Sequence, residues 1–297
     1  MDVRHLELLR DLADRGTVTA VAAATHRTPS AVSQQLRSAE RELGVTLVVP
    51  DGRRLRLTAA GRLLADGAAD VALALANLQA ELDALRDAPR GLVRLGALPS
   101  AAEVFVPQLY SRLRGTDVRI ELDDFDVAEA EFDTRVMNHD IVIGHTLSTP
   151  RTDRQADLVR VVLAREPLDV ALRVDHPLAN RERLHPRDVA GEPWVGVPAG
   201  YPFDTILVAV EHATGTTVQR VQRVRDNHVV EALVAAGAGL AILPRYTTRP
   251  RDGVVTRPLV GVRAIRDIVA LARRDRAAQQ VVRTVLGELR EIGRALG

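Results

Sequence analysis

Apolar residues recur along the chain with changing periods, and the changes divide it into three parts. Leu6, Leu9 and Leu12, with Leu8 and Ala13, fall at helical spacing, and Gly16 follows as a C-terminal stop. Thr17-Val18-Thr19 offers an N-cap for a short run, Ala20–Ala24. Thr28-Pro29 places a capping hydroxyl before a proline at the first helical position, which predicts a helix from Pro29 to about Leu43, stopped by Gly44. Val32, Leu36, Ala39 and Leu43 form one apolar stripe on it, while Ser30, Ser33, Gln34, Arg37 and Arg41 lie mostly on the other side. Thr46–Val49 and Leu55–Leu57 read as strands around a turn at Asp51-Gly52. Two helices joined by a short turn and followed by a hairpin make a winged helix-turn-helix.

The second part is one long proline-free stretch, Ala59 to Arg86. Leu64, Ala68, Val71, Leu75, Leu78, Leu82 and Leu85 step alternately by four and three, an unbroken heptad seam. Such a seam predicts pairing with a second copy of the chain, although an amphipathic helix can also pack on its own domain. Asp87–Gly91 ends it. From Gly91 onward, strand-like and helical runs alternate: Val93–Ala97, Ala102–Arg114, Val118–Leu122, Ala128–Met137 and Ile141–Ile143. This predicts parallel βαβ units. Further strands are expected at Leu158–Leu163, Leu168–Arg173, Trp194–Val197, Leu240–Leu243 and Asp267–Ala272, with helices at Thr205–Thr214, Asn227–Ala236 and Ala277–Leu296. The fold class is therefore α/β with an α-rich N-terminal part.

Charge changes this picture locally. The whole chain carries a net charge of only +1, so it is not a basic nucleic-acid binder throughout. Between Thr25 and Arg62, however, seven arginines (27, 37, 41, 53, 54, 56 and 62) stand against three acids (40, 42 and 51). A local basic patch on a near-neutral chain suits a small double-stranded-DNA-binding module joined to something else. The hydroxyls, amide and guanidiniums of the third helix are the groups that read base edges and hold phosphates in a major groove. Arg53 and Arg54 on the hairpin would reach phosphates or the flanking minor groove. An ordinary surface helix carries similar groups, and the hairpin is what favours DNA.

Composition excludes other classes. There is no cysteine, so disulfide and thiolate chemistry is absent, which fits a reducing, cytoplasmic setting. There is no lysine either, which rules out a Schiff base or a phosphate-loop lysine. No run approaches the ~20 apolar residues of a membrane span, and the charged N-terminal stretch is no signal peptide.

The stretch from His5 to Gly61 closely resembles the N-terminal domain of the LysR-type transcriptional regulators. The resemblance rests on Gly16 with Thr19, on Pro29-Ser30-Ala31-Val32-Ser33-Gln34, on Glu42-Leu43-Gly44-Val45 and on Arg56-Leu57-Thr58 with Gly61. It implies that Ser33, Gln34 and Arg37 approach bases and that Ser30, Arg53 and Arg54 approach phosphate; the capping Thr28 belongs with this surface. One departure is evident. The family usually has Phe, an acid and Arg after the position of Leu47, and here Val48-Val49-Pro50 stand instead. The resemblance extends through Glu166–Pro198 and Asn227–Tyr246 to an effector domain with the fold of periplasmic binding proteins. It implies a DNA-binding domain at 1–58, a linker helix at 59–90 and an effector-binding domain at 91–297. The last would consist of subdomain I (91–161 and 268–297) and subdomain II (162–267). It also implies a two-fold operator, a small-molecule effector and a homodimer, often assembled into a homotetramer.

Open α/β sheets bind ligands beyond the carboxyl ends of their strands. Those ends contain Ser100, Ala101, Asp126, His145, Val197, Asn227 and His228, and Phe203 follows a turn beside them. Ser100 either holds a ligand carboxylate or simply caps its helix, and His145 and His228 are ligand-facing or structural. Asp124 and Asp126 favour a cationic effector, or are solvated loop acids. No catalytic motif stands out. Gly237-Ala238-Gly239 lacks the third glycine of a dinucleotide fingerprint, and the eight histidines are scattered, so no catalytic residue, metal or cofactor is assigned. The competing organisation is a binding-protein-like enzyme or ligand receptor fused to the helix-turn-helix.

Overall fold

The computed structural model describes residues 2–52, 54–85, 88–125, 132–147, 157–248 and 251–296. Arg53, Arg86, Asp87, Asp126 and residues 128–131, all named above, lie outside the described residues. The chain divides into two compact units, Met1–Pro89 with Arg273–Arg283, and Arg90–Ala272 with Thr284–Gly297.

In the first unit, α1 (Val3–Arg15), α2 (Val18–Ala24) and α3 (Pro29–Leu43) begin and end at the residues whose chemistry dictates it. Thr17 and Thr28 each accept a hydrogen bond from a first-turn amide, those of Ala20 and Ala31. Gly16 and Gly44 close α1 and α3 at φ 74° and 68°, the left-handed region that disfavours a Cβ. Val32, Leu36 and Ala39 are buried with Leu9, Leu12 and Leu47. A hairpin follows, β1 (Val48–Asp51) and β2 (Arg54–Leu57), with Asp51 opposite Arg54.

The long helix α4 (Ala59–Ala84) starts at Thr58, whose hydroxyl accepts from the Gly61 amide at 3.1 Å and donates to the Thr46 carbonyl at 2.8 Å. It packs on α1 and therefore belongs to the same compact unit as residues 1–58. The heptad seam divides into two. Leu64 packs on the core of this unit and Ala68 is buried within the chain. Val71 is half-buried, whereas Leu75, Leu78, Leu82 and Leu85 are 47% to 83% exposed.

The second unit is built on a seven-stranded sheet. Here β3 (Arg90–Ala97) pairs in parallel with β4 (Asp117–Asp124) and with β5 (Ile141–Thr146). The helix α5 (Pro99–Arg112) makes the first crossover, and a short α6 (Phe132–Arg135) occupies the described end of the helix expected at Ala128–Met137. Two long strands, β6 (Leu158–Arg173) and β11 (Ile265–Arg273), stand side by side in the middle of the sheet. The two strands expected at Leu158–Leu163 and Leu168–Arg173 are one. Proline removes a ladder donor, but its φ is compatible with an extended chain, so Pro167 does not break β6.

Beyond Arg173 come a 3-10 turn (Pro177–Asn180), α7 (Pro186–Val189) and β7 (Pro193–Gly196). Then follow α8 (Asp204–Thr214), β8 (Gln219–Arg223) and α9 (Asn227–Ala235). Both β9 (Ala241–Pro244) and β10 (Val254–Pro258) run antiparallel to β6. The expected C-terminal helix is split at Gln279 into α10 (Arg274–Ala278) and α11 (Gln280–Arg294), and α10 packs on α4 in the first unit. No helix among the described residues is long and apolar enough to cross a membrane.

Two glycines of α4 separate close packing from helix propensity. A Cβ on Gly61 would lie 2.2 Å from the Leu47 carbonyl oxygen, whereas one on Gly67 meets nothing within 4 Å. Gly61→Ala is expected to destabilise the chain by about 2 kcal/mol or more. Gly67→Ala should stabilise it by up to about 1 kcal/mol. Urea unfolding of the two variants checks both signs.

Candidate functional site

Two surfaces carry the chemistry, one in each unit. On the first, burying the Val32–Leu36–Ala39 stripe turns the polar residues of α3 outward. Ser30, Gln34, Arg37 and Arg41 are exposed and Ser33 is half-buried. Thr28 is engaged as the cap and contacts the Ser30 hydroxyl at 3.0 Å. Gln35 is also engaged, donating to the Arg4 carbonyl at 2.9 Å and accepting from Arg27. The side chains of Gln34 and Arg37 have no hydrogen bond or ion pair among the described residues. Gln34 stands between two surface hollows, lining both. Arg54 and Arg56 are exposed on β2, while Val48 and Val49 are half-buried on β1. Hydrophobic packing has thus taken the strand positions where a basic contact was missed in the sequence, and the hairpin's described cations are on β2.

The second surface lines a cavity of about 550 Å³ in the second unit. Ser100, His145, Val197, Phe203, Asn227 and His228 line it, together with Asp124. Ala101 does not: one residue along α5 from Ser100 turns the side chain by about 100°, away from the cavity and into the core. Arg225 and Asp226, from the same expected strand end as Asn227 and His228, line it too, whereas sequence reasoning missed Tyr201, Pro202, Glu231, Thr247, Thr248 and Arg266.

Arg266 organises the floor. Its guanidinium lies 2.7 Å from Glu166, and the two side chains are 1% and 0% exposed. Glu166 also accepts the backbone amides of Tyr246 and Thr247, each at 2.6 Å, and the Thr247 hydroxyl at 3.1 Å. Arg266 donates to His145 Nδ1 at 2.7 Å, to the Thr247 hydroxyl at 2.5 Å and, at 3.4 Å, to the Ser100 hydroxyl. That bond makes Nδ1 an acceptor and places the imidazole proton on Nε2. Burial, then the adjacent guanidinium, hold His145 well below its usual value, so the ring is neutral near pH 7. Burial also lowers Arg266 from the ordinary guanidinium value, and Glu166 opposes that shift. Phe203 completes the floor, its ring centre 5.4 Å from that of His145. No local signal marks this cluster: β6 also carries Arg160, Arg165, Asp169 and Arg173, and β11 carries Asp267, so Glu166 and Arg266 do not stand out along the chain.

Residues 3–62 match the family described as "Bacterial regulatory helix-turn-helix protein, lysR family", and residues 86–294 match the "LysR substrate binding domain". Among curated proteins, the chain is 27% identical over 263 residues to the DNA-binding transcriptional dual regulator OxyR of Escherichia coli, covering 88% of this chain and 85% of that protein. It is 29% identical over 267 residues to the Hca operon transcriptional activator HcaR of Escherichia coli, covering 88% of each. Among solved structures, a full-length OxyR variant from Pseudomonas aeruginosa superposes with a TM-score of 0.68 at 18% identity, covering 100% of this chain and 96% of that one. Full-length CbnR complexed with its target DNA gives 0.54 at 19% identity, covering 99% and 100%.

Two outcomes follow from the floor of the cavity. Arg266→Met strands the buried Glu166 carboxylate and is expected to cost about 3–5 kcal/mol, with part of it restored when Glu166→Gln is added; denaturant unfolding of both variants measures this. His145 has a folded pKa below its unfolded value of 6.5. The unfolded state therefore binds more protons below that pH, and the contribution of His145 to stability is lost as pH falls from about 6.5 towards the folded value. His145→Gln should flatten that part of the stability–pH curve.

Proposed function

The chain belongs to the LysR family of bacterial transcription regulators, and on that footing we propose that its first unit reads a two-fold operator through α3 while its second unit binds a small organic effector that alters operator affinity. The observation that carries the first half is the free amide of Gln34 and the free guanidinium of Arg37 on the exposed face of α3, beside the basic strand β2. Gln34, Arg37 and Ser33 contact base edges in the major groove. Ser30, Arg54 and Arg56 contact phosphate. A double-stranded-DNA partner places the chain in the cytoplasm with the chromosome.

The exposed seam leucines Leu75, Leu78 and Leu82 of α4, with Leu85 at its C-cap, supply the dimer. Left in water, that stripe forgoes a few kcal/mol of apolar burial; a second copy covers it and sets two α3 helices against two half-sites. A homotetramer formed from two such dimers fits the family pattern. The second unit acts as a receptor and not as a catalyst. Its cavity offers the Ser100 hydroxyl and the N-terminus of α5, which has no side-chain cap, to an anionic or polar group of the effector. Whatever binds there changes operator affinity only by binding the DNA-competent and incompetent states unequally, and linkage makes the effect reciprocal. Some relatives are named for induction by hydrogen peroxide. This chain has no cysteine, so no thiol of its own could register an oxidant.

Substitutions separate the roles. Gln34→Ala should change sequence preference, whereas Arg54→Ala should weaken binding to every duplex and lower the salt slope by about 1. Salt titrations of fluorescent duplexes read both, and unchanged binding in both variants contradicts the interface. The double change Leu78→Glu, Leu82→Glu should yield a monomer by light scattering.

A further inference from the structure

The cavity of the second unit is unevenly charged. Its wall holds the carboxylates of Glu103, Asp124, Asp226 and Glu231. On the cationic side stand Arg225, which lies over the Tyr201 ring at 5.4 Å, and Arg266, whose charge Glu166 already matches. His228 is 3.6 Å from Glu103. Three of the four acids are exposed and solvated, but Glu231 on α9 is only 3% exposed.

No hydrogen bond or ion pair to Glu231 exists among the described residues. A buried carboxylate without a partner is costly and is ordinarily avoided. Its electrostatic neighbours do not relieve it. His228 and Arg251 favour its charge from a distance, while Glu103 and Asp226 oppose it, and burial outweighs them all, raising its pKa. A second polar group lining the cavity is also unsatisfied: the buried hydroxyl of Thr248 has no hydrogen-bond partner among the described residues. A carboxylate on a nearly buried residue and a buried hydroxyl, both with unused acceptor capacity and both lining one cavity, define a socket for a donor that carries positive charge.

We infer that Glu231 is the counter-ion for a protonated amine or guanidinium on the effector, with the Thr248 hydroxyl as a second acceptor. The inference rests on the reading of this cavity as the effector site and adds its chemical class. The Ser100 hydroxyl takes a neutral or anionic part of the same molecule.

The test uses the full-length chain and three probes of one shape, benzylamine, benzyl alcohol and benzoate, with binding followed by thermal shift and calorimetry. Benzylamine should bind more tightly than the other two. Glu231→Gln should weaken it by about tenfold, the loss expected for one charge-assisted hydrogen bond, and leave benzyl alcohol within about twofold. Glu231→Gln should also raise the melting temperature of the unliganded chain, since it removes an unpartnered buried charge; a purely structural carboxylate would give the opposite sign. If benzoate binds, is weakened by Ser100→Ala, and benzylamine shows no preference for Glu231 over Gln, the cavity stands as the effector site and the cationic assignment is overturned. If neither Ser100→Ala nor Glu231→Gln alters any probe, both are overturned. An absence of benzylamine binding at millimolar concentration also counts against the assignment.

Discussion

The second unit depends on one ion pair. Glu166 and Arg266 come from the two adjacent central strands β6 and β11, and both side chains are essentially removed from solvent. Taking two charges out of water costs several kcal/mol per ion, and their attraction offsets this only with good geometry and further hydrogen bonds. Those bonds are present: Glu166 takes two backbone amides and a hydroxyl, and Arg266 reaches His145, Thr247 and Ser100. The pair therefore does more than join two strands. It fixes the tautomer of His145, positions the hydroxyls of Thr247 and Ser100, and presents a floor whose charge is already balanced.

A balanced floor shifts the electrostatic character of the cavity to its walls. With Arg266 matched, Glu231 stands in the lining without a hydrogen bond or ion pair among the described residues, on a helix that begins at the cavity and is held there by packing of Val230 and Val234 against β9 and β10. The aromatic Phe203 and the neutral imidazole of His145 supply apolar surface and one oriented donor to the same cavity. The site is therefore a pocket with a few convergent polar groups, the usual form of a small-molecule site, with its directionality set by burial rather than by total charge.

The first unit was legible in the sequence almost residue by residue. Its boundaries are local events, a threonine cap, a proline at the first helical position or a left-handed glycine, and each is written in one or two residues. The wing was legible for the same reason, since Asp51-Gly52 is a turn dipeptide. In the second unit, β8 was missed because Gln219–Arg223 has no apolar alternation; it pairs in parallel with β7, and its Arg220 bonds Asp204 and Glu211 at 2.7 Å each. The continuity of β6 was missed because proline is a good local punctuator, and only the neighbouring strands show that it does not break the ladder here. Most of the cavity positions flagged at strand ends proved to line it, because topology places strand ends there. Arg266, Thr247 and Glu231 could not be found in that way, since their roles come from contacts between residues as far apart as 166 and 266. The heptad seam was read correctly in spacing, but its first positions are covered within the chain and its last four leucines remain exposed.

These features make one claim: a dimeric reader of symmetric DNA whose specificity resides on α3. Selection of bound duplexes from a random-sequence library with the full-length chain tests it most directly. The expected result is enrichment of an inverted repeat whose half-sites are separated by about one helical turn or a multiple of it. Enrichment of a single, unrepeated half-site, or no enrichment above the input library, would contradict it.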